Sequence, residues 1–359
     1  MVGYDIDSMF SRHRLRAYPM VILLLPLVAA ILICDRFYPL RQPWQKSEPN
    51  EMQTALYQRL EAAGLSGDEL ATVGALTLGY KEGLDKELRR HFQASGAAHV
   101  LAVSGLHTGI IYALLVGILT LGGRYRPLHE NKWGRRAISL IIIVCMWAYA
   151  WLTGMTPSVV RAVLMVTLFE FGRMIYRQSF SLNTIASAAV FILLVKPSDL
   201  WSVSFQLSFA ATAAIVVFMG HRDIGISVSR YLEKSLWGKM LAYILGIIIV
   251  SLAAQLGTLG ITMYCFHQVS TYFLLTNLIV LPLATLLVPC GLLTIALGGS
   301  TLGLWVGKAT HGLAWAMNHS VAWIESLPGS TVEASVSGTM VGIYYVLLLG
   351  LIVFWPRQA

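Results

Sequence analysis

The residues best suited to chemistry lie together in one apolar stretch. His99, Ser104, Gly105 and His107 fall between Gly96 and Leu121. Ser104 and His107 are three residues apart, the separation of neighbours on one helix face, and His99 precedes His107 by about two turns. A serine beside a histidine can act as nucleophile and base. The same groups can instead line a water-filled path, because polar side chains inside a membrane avoid lipid.

Arg161 is the second candidate, in an apolar run from 158 to 172 without an adjacent acid. A guanidinium keeps its charge, so it needs a partner, water or a phosphate. Glu170 is nine residues away, close to the opposite helix face, and is a poor intrahelical partner. Two roles stay open for Arg161: a structural contact with carbonyls or a distant acid, or a contact for a passing phosphate, which guanidinium geometry suits.

Glycine and proline predict breaks in two places. Gly154 and Pro157 separate two apolar runs. The break there is either a simple turn or a half-helix N-terminus whose free N–H groups favour anions. Pro282 and Pro289 similarly interrupt the long run 272–297.

Two amides, Gln206 and Asn277, stand in apolar segments. Such groups often serve as packing contacts between membrane helices, and they are also candidates for a polar path. The four cysteines show no metal or pairing spacing, and no nucleotide-binding motif is present, so the sequence predicts neither a metal nor a cofactor.

Composition sets the class of protein. The 359 residues are 56% hydrophobic and 12% charged, and the mean hydropathy is +0.67. These values exclude a soluble globular domain and indicate a polytopic membrane protein. The net charge of +8 has a plain explanation in basic cytoplasmic loops and does not by itself indicate a nucleic-acid partner.

The hydropathy pattern predicts an all-α transmembrane bundle of about ten spans, some short or broken. The apolar segments are about 20–34, 97–121, 137–153, 158–172, 183–196, 203–219, 239–258, 272–297, 302–324 and 339–355. We divide the chain into a cytoplasmic N-terminus with a first, uncleaved anchor (1–35), a periplasmic segment (36–96) and the main membrane module (97–359). In the periplasmic segment we expect two or three amphipathic helices on the membrane surface, with a capping box from Ser66 to Glu69.

Loop charges predict the orientation. Lys and Arg concentrate in alternate loops, whereas the short loops near 154–157, 198–202, 259–271 and 325–338 contain neither residue. The positive-inside rule then places both termini in the cytoplasm.

Several stretches in order resemble the ComEC competence family. They are Ala98 to His107, Gly154 to Ala162, Phe205 to Ala211, Gln255 to Thr258 and Thr276 to Pro282. The resemblance covers roughly residues 75 to 330. Full-length relatives usually carry an OB-like domain before this region and often a metallo-β-lactamase-like domain after it; we expect this chain to be a short form with neither.

The resemblance implies an inner-membrane channel that passes single-stranded DNA into the cytoplasm during natural transformation, and not an enzyme. Implied partners are the lipid bilayer, a periplasmic DNA receptor, a cytoplasmic motor ATPase, single-strand binding proteins and a possible second copy of the chain. A small-solute carrier remains an alternative because broken helices and buried polar groups suit one. An intramembrane serine hydrolase using Ser104 and His107 is another, similar to rhomboid proteases, although there the histidine comes from a different helix.

Overall fold

The structure is a computed structural model that describes residues 19–37, 49–120, 132–175, 182–219 and 235–354. These residues form helices almost throughout. The helices are α1 Pro19–Phe37, α2 Glu51–Ala62, α3 Gly67–Leu78, α4 Lys86–Ala94, α5 Ala98–Leu101, α6 Gly105–Leu119, α7 Lys132–Leu152, α8 Pro157–Met174, α9 Leu182–Val195, α10 Val203–Met219, α11 Leu236–Phe266, α12 Phe273–Leu297, α13 Thr301–Glu325 and α14 Gly338–Phe354. A 3₁₀ turn spans Pro197–Trp201, and two short strands are β1 Gln268–Ser270 and β2 Thr331–Glu333.

The helices coincide with the predicted apolar segments, except that one segment is divided and another is extended. Each predicted apolar segment overlaps a helix, but the segment 97–121 is divided into α5 and α6, and the segment 239–258 is extended to Leu236–Phe266. Within the described residues, three helices are long and apolar enough to cross a membrane: Trp133–Leu152, Trp237–Phe266 and Phe273–Leu297. Five shorter apolar helices accompany them. The protein is therefore a helical membrane protein, and the count of about ten spans stays a prediction.

The expectation of surface helices before residue 97 is wrong for α3. Every residue from Leu70 to Leu78 is buried, and α3 packs against α12 and α13. Glycine permits this approach: a Cβ at Gly291 of α12 would lie 2.5 Å from Thr77 Cγ2, and one at Gly307 of α13 would lie 2.3 Å from the carbonyl oxygen of Ala63. Small residues let membrane helices come this close.

Helix caps differ from the prediction as well. Ser66 stands at the N-cap of α3, but its side chain makes no capping hydrogen bond. The reciprocal box forms instead at α2, where Asn50 Oδ1 accepts from Gln53 N at 2.7 Å and Gln53 Oε1 accepts from Asn50 N at 3.0 Å. Both orphan N–H groups are satisfied without a serine or threonine cap.

The long helix α12 corrects the predicted breaks at Pro282 and Pro289. It runs without interruption from Phe273 to Leu297 and includes both prolines. A proline removes one backbone donor, and membrane helices tolerate this where neighbouring groups compensate. The Pro282 and Pro289 positions therefore lie within one helix and do not end it.

One end of the bundle gathers several connections. The strands β1 and β2 pair antiparallel, with Gln268 opposite Glu333. Helix α4 lies beside them, and a Cβ at Gly96 would be 2.9 Å from Ser270 Cβ. His91 of α4 contacts Glu325 at the end of α13, Nδ1 to Oε2. The segment 49–96 is thus attached to the same end of the bundle as both strands.

Candidate functional site

The beginning of α6 carries the Ser104 and His107 pair. The helix begins at Gly105, so Ser104 is its N-cap, with extended backbone angles of φ −126° and ψ −179°. Because the chain leaves helical geometry at residues 102–104, the two side chains do not share one helix face as predicted. They meet through capping: His107 Nδ1 accepts from Ser104 N at 3.2 Å and lies 3.1 Å from Ser104 Oγ.

The His107 ring is fully buried. Since Nδ1 accepts a backbone N–H, a neutral ring carries its proton on Nε2. Nε2 has no hydrogen-bond partner within the described chain. A buried donor without a partner is unusual and costs free energy, and because the ring is fully enclosed, a polar group reaches Nε2 only if the surrounding side chains move.

His99 lies apart from this pair. It belongs to the short helix α5, is exposed, and its Nδ1 is 3.1 Å from the carbonyl oxygen of Gly96. Gly105 is also exposed, and a Cβ there would meet only Ala162 at 4.0 Å, an ordinary contact distance. Within the described residues, no neighbouring helix approaches Gly105 closely enough to require glycine there.

Helix α8 lies against the start of α6. Ser158 Oγ donates to the carbonyl oxygen of Val103 at 2.6 Å, which fixes the first turn of α8 beside Ser104. The chain reaches that turn through two left-handed residues, Gly154 with φ 72° and Met155 with φ 51°. Pro157 occupies the first turn of α8, where its missing N–H costs nothing.

Arg161 follows one turn later and is buried, with 2% of its surface exposed. Its Nη2 donates to the carbonyl oxygen of Ser204 at 2.9 Å and to Ser204 Oγ at 2.6 Å. Its Nε and Nη1 have no partner within the described chain. The guanidinium is thus held at the start of α10 with part of its hydrogen-bonding capacity unused.

Glu170 has partners that the sequence did not reveal. Its Oε1 accepts from Tyr112 of α6 at 2.6 Å and from Arg173 at 2.8 Å, while Glu170 itself is fully buried. The spacing of Glu170 and Arg173 on one helix is a signal for that pair, whereas Tyr112 comes from another helix. This network links α6 to α8 below the Ser104 end.

The two predicted amides make separate contacts. Gln206 Nε2 donates to the carbonyl oxygen of Leu200 at 3.0 Å, which joins α10 to the 3₁₀ turn before it. Asn277 Nδ2 donates to Ser251 Oγ at 3.0 Å and so joins α12 to α11. Gln206 therefore lies near Ser204 and Arg161, whereas Asn277 contacts a different pair of helices.

Gln53 is a buried polar residue that sequence analysis missed. Its Nε2 donates to the carbonyl oxygen of Leu78 at 2.7 Å. A Cβ at Gly154 would lie 2.8 Å from the same nitrogen, so glycine is required both by its backbone angle and by this contact. Gln53 thereby attaches α2 and the end of α3 to the turn between α7 and α8. Its position in a polar helix gave no signal of burial.

The arrangement offers hydrogen-bond donors and one fixed positive charge, and no cluster of metal ligands among the described residues. Ser104 and His107 belong to the first turn of α6, and Arg161 lies in the second turn of α8, whose first turn packs beside Ser104. Such a group can bind an anion or a polar chain. Hydrolysis would in addition need donors for an oxyanion and a correctly oriented base.

A comparison with known protein families shows the family to which this chain belongs. The family model described as "Competence protein" matches residues 76–359. The chain belongs to the competence protein family. The predicted resemblance is therefore confirmed, and the matched region includes every site residue predicted from the sequence.

Individual relatives of this competence-family chain are distant and longer. ComE operon protein 3 of Bacillus subtilis (strain 168) is 29% identical over 277 residues, 77% of this chain and 32% of that protein. Uncharacterized protein YcaI of Escherichia coli (strain K12) is 28% identical over 218 residues, 60% of this chain and 27% of its own length. The chain spans about a third of the length of these relatives. No solved structure matches it.

Proposed function

We propose that this chain forms the inner-membrane passage for single-stranded DNA during natural transformation. The observation that carries the proposal is Arg161, a buried guanidinium with two nitrogens, Nε and Nη1, that have no partner within the described chain, beside the Ser104–His107 pair in a competence-family membrane protein. A phosphate can take up such unused donors, because guanidinium groups bind phosphate through two parallel hydrogen bonds. His99, Gly105, Gln206 and Asn277 complete the proposed path.

Contacts at one end of the bundle support the proposed orientation, with both termini in the cytoplasm and 36–96 in the periplasm. Three of the four loops without Lys or Arg, near 154–157, 259–271 and 325–338, touch each other or this segment. Gln53 packs on Gly154, His91 contacts Glu325, and β1 pairs with β2. Segments that contact one another at a helix end belong on one side of a membrane. The loop charges and the packing therefore favour the same orientation.

The proposed role requires partners outside this chain. A periplasmic receptor would deliver DNA, a cytoplasmic motor ATPase and single-strand binding proteins would draw in the strand, and a second copy of the chain could complete the passage. The chain would act without enzymatic activity of its own.

Arg161 provides the test. In a deletion strain complemented with variants, Arg161→Leu should abolish transformation and arrest labelled DNA outside the inner membrane, with membrane protein level near normal. Arg161→Lys should retain part of the uptake, because it keeps the charge and loses the two-pronged geometry. Ser204→Ala is the matched control, since it removes the Oγ contact and leaves the carbonyl contact.

The outcomes separate two roles for the arginine. Normal protein level with lost uptake in Arg161→Leu, and retained uptake in Ser204→Ala, agree with a path contact. If Arg161→Leu disappears from the membrane and Ser204→Ala is depleted in parallel, the arginine holds α8 to α10 and the path role is wrong. Normal transformation with Arg161→Leu would also contradict the proposal.

A serine hydrolase is the second candidate, favoured by the 3.1 Å distance from Ser104 Oγ to His107 Nδ1. A hydrolase predicts that a fluorophosphonate labels Ser104 in membranes and that Ser104→Ala loses all activity. The passage predicts no labelling, substantial DNA uptake with Ser104→Ala, and a steric block with Gly105→Leu. Covalent labelling of Ser104 would contradict a channel-only role. Solute uptake that is unaffected by DNA would favour the carrier alternative.

A further inference from the structure

Two tyrosine rings stack beside α3, near its C-terminal end. The Tyr57 and Tyr80 centroids are 4.3 Å apart, with 26° between the ring planes. Glycine makes room for Tyr57: a Cβ at Gly74 would lie 2.6 Å from its ring and one at Gly83 would lie 2.6 Å from its hydroxyl. Both rings are half-buried. The Tyr57 ring is thus packed against Gly74 and Gly83, and part of the surface of both rings stays exposed.

Two basic side chains adjoin this stack. Lys81 follows Tyr80 directly, and Arg89 Nη2 donates to the carbonyl oxygen of Lys81 at 2.8 Å. Both residues are exposed. Partial desolvation, together with the charge of Arg89, lowers the pKa of Lys81. A pair of neighbouring cations favours the binding of an anion.

The nearby acids of α4 are engaged with other groups. Asp85 Oδ1 accepts from Leu88 N at 2.6 Å, and Glu87 lies 3.7 Å from His91. Glu325 pairs with Arg90 and with the same histidine. Within the described chain, no carboxylate lies within 4.0 Å of Lys81 or Arg89. Lys81 and Arg89 therefore have no ion-pair partner within the described chain, while two acidic residues lie close by, Glu82 beside Lys81 and Glu61 near Tyr57.

This patch lies next to the candidate site. Gly79, with φ 71°, connects α3 to Tyr80, and a Cβ there would be 3.2 Å from the carbonyl oxygen of Thr153 and 3.5 Å from Val103 Cγ2. Val103 immediately precedes Ser104. The patch therefore adjoins, through Gly79, the segment around Val103 that positions Ser104 and Ser158.

We propose that Tyr80, Lys81 and Arg89, with Tyr57 beneath, form an outer docking site for single-stranded DNA. A base would stack on the tyrosine pair while neighbouring phosphates contact the two cations, the combination by which proteins bind single strands without sequence preference. The choice of DNA as the ligand rests on the proposed function. Tyrosine also occurs at the headgroup level of membranes, but a nucleic-acid base stacks on an aromatic face while its phosphates reach adjacent cations, and this combination favours the nucleic acid.

The test uses the full chain in nanodiscs of neutral phosphatidylcholine and a fluorescein-labelled oligothymidylate, with anisotropy measured over a range of salt. Tyr80→Leu should weaken binding about ten-fold, and Tyr80→Phe should restore it, because stacking needs only the ring. Lys81→Gln/Arg89→Gln should lower the magnitude of the log–log salt slope by about 1.4, for two phosphate contacts at ~0.7 each.

The charge-matched control is Arg59→Gln/Lys196→Gln. Both residues are exposed, and Arg59 lies two positions from Tyr57, on the opposite face of α2. This control should leave the salt slope nearly unchanged. Elution profile and unfolding midpoint, compared with those of the unmodified chain, verify that each variant is folded.

Three results would overturn the proposal. The first is an unchanged affinity and slope in Lys81→Gln/Arg89→Gln, and the second is an equal loss in the control pair. The third concerns a parallel measurement of how much protein is retained on phosphatidylglycerol vesicles. If Lys81→Gln/Arg89→Gln lowers that retention but leaves oligothymidylate binding unchanged, the patch binds lipid headgroups. Failure of the proposed function is distinguishable: oligonucleotide binding would still depend on the patch, while Arg161→Leu cells and patch-variant cells would transform normally.

Discussion

Gly307→Ala tests whether the segment before residue 97 is packed into the bundle. Gly307 lies in α13, and a Cβ there would be 2.3 Å from the carbonyl oxygen of Ala63 and 3.3 Å from its carbon. The distance from this Cβ to the oxygen would be about 1 Å shorter than the ~3.5 Å at which non-bonded heavy atoms normally pack. The obstacle is backbone and cannot rotate away, so the connection between α2 and α3 must move.

The magnitude follows from two opposing terms. Overpacking costs roughly 1–3 kcal/mol, whereas alanine in place of glycine within a helix gains about 1 kcal/mol. Gly312→Ala is the matched control, because it lies in the same helix and a Cβ there would meet nothing within 4 Å. The difference between the two variants cancels the helix term, so Gly307→Ala should be less stable by roughly 1–3 kcal/mol.

Thermal unfolding in one detergent at a single heating rate measures this difference. Limited proteolysis of the segment 51–94 gives a second readout, since loosening of Ala63 should expose α2 and α3 to cleavage. Equal midpoints for the two variants would refute the reasoning. That result would mean that α2 and α3 lie on the surface, as the sequence alone predicts.

Two further predictions concern charge and hydrogen bonding. Burial, with Asp85 as the next largest cause, raises the pKa of Asp68. The folded state therefore disfavours the charged form of Asp68, and Asp68→Asn should raise the unfolding midpoint at neutral pH. This gain should disappear as the pH falls below the pKa of Asp68 in the folded state, because the carboxyl group is then neutral. A gain that does not depend on pH would contradict this prediction. Tyr112→Phe removes one hydrogen-bond donor from the buried Glu170 and should destabilise the folded protein by roughly 1–3 kcal/mol. The control is Tyr243→Phe, which changes an exposed tyrosine. Equal unfolding midpoints for the two variants would contradict this prediction.

The amino-acid sequence by itself determined the class of protein and the position of its helices. Hydropathy is a local property, and a run of apolar residues must form its backbone hydrogen bonds internally wherever it enters lipid. The ten apolar segments therefore matched helices closely. Family membership also followed from short local stretches, because side-chain identities at fixed spacing require no knowledge of packing.

Part of the candidate site was predictable for the same reason. Ser104 and His107 meet because they are three residues apart, although they do so at an N-cap and not along one helix face. Arg161 was singled out because a charge in an apolar run needs a partner. Its actual contact, Ser204, is 43 residues away on another helix, and no local pattern specifies which helices become neighbours.

Tertiary packing decided what depends on neighbours distant in the chain. Gly291 lets α12 approach α3, and Gly307 lets α13 approach Ala63 in the connection that precedes α3. Polar Gln53 is buried because Leu78 and Gly154 surround it. The sequence placed α3 and Gln53 in a surface segment, since composition reports average polarity and not which face meets a partner. The patch at Tyr80 depends equally on tertiary contacts: its rings and cations come from three separate helices and turns, and only the folded chain brings them together.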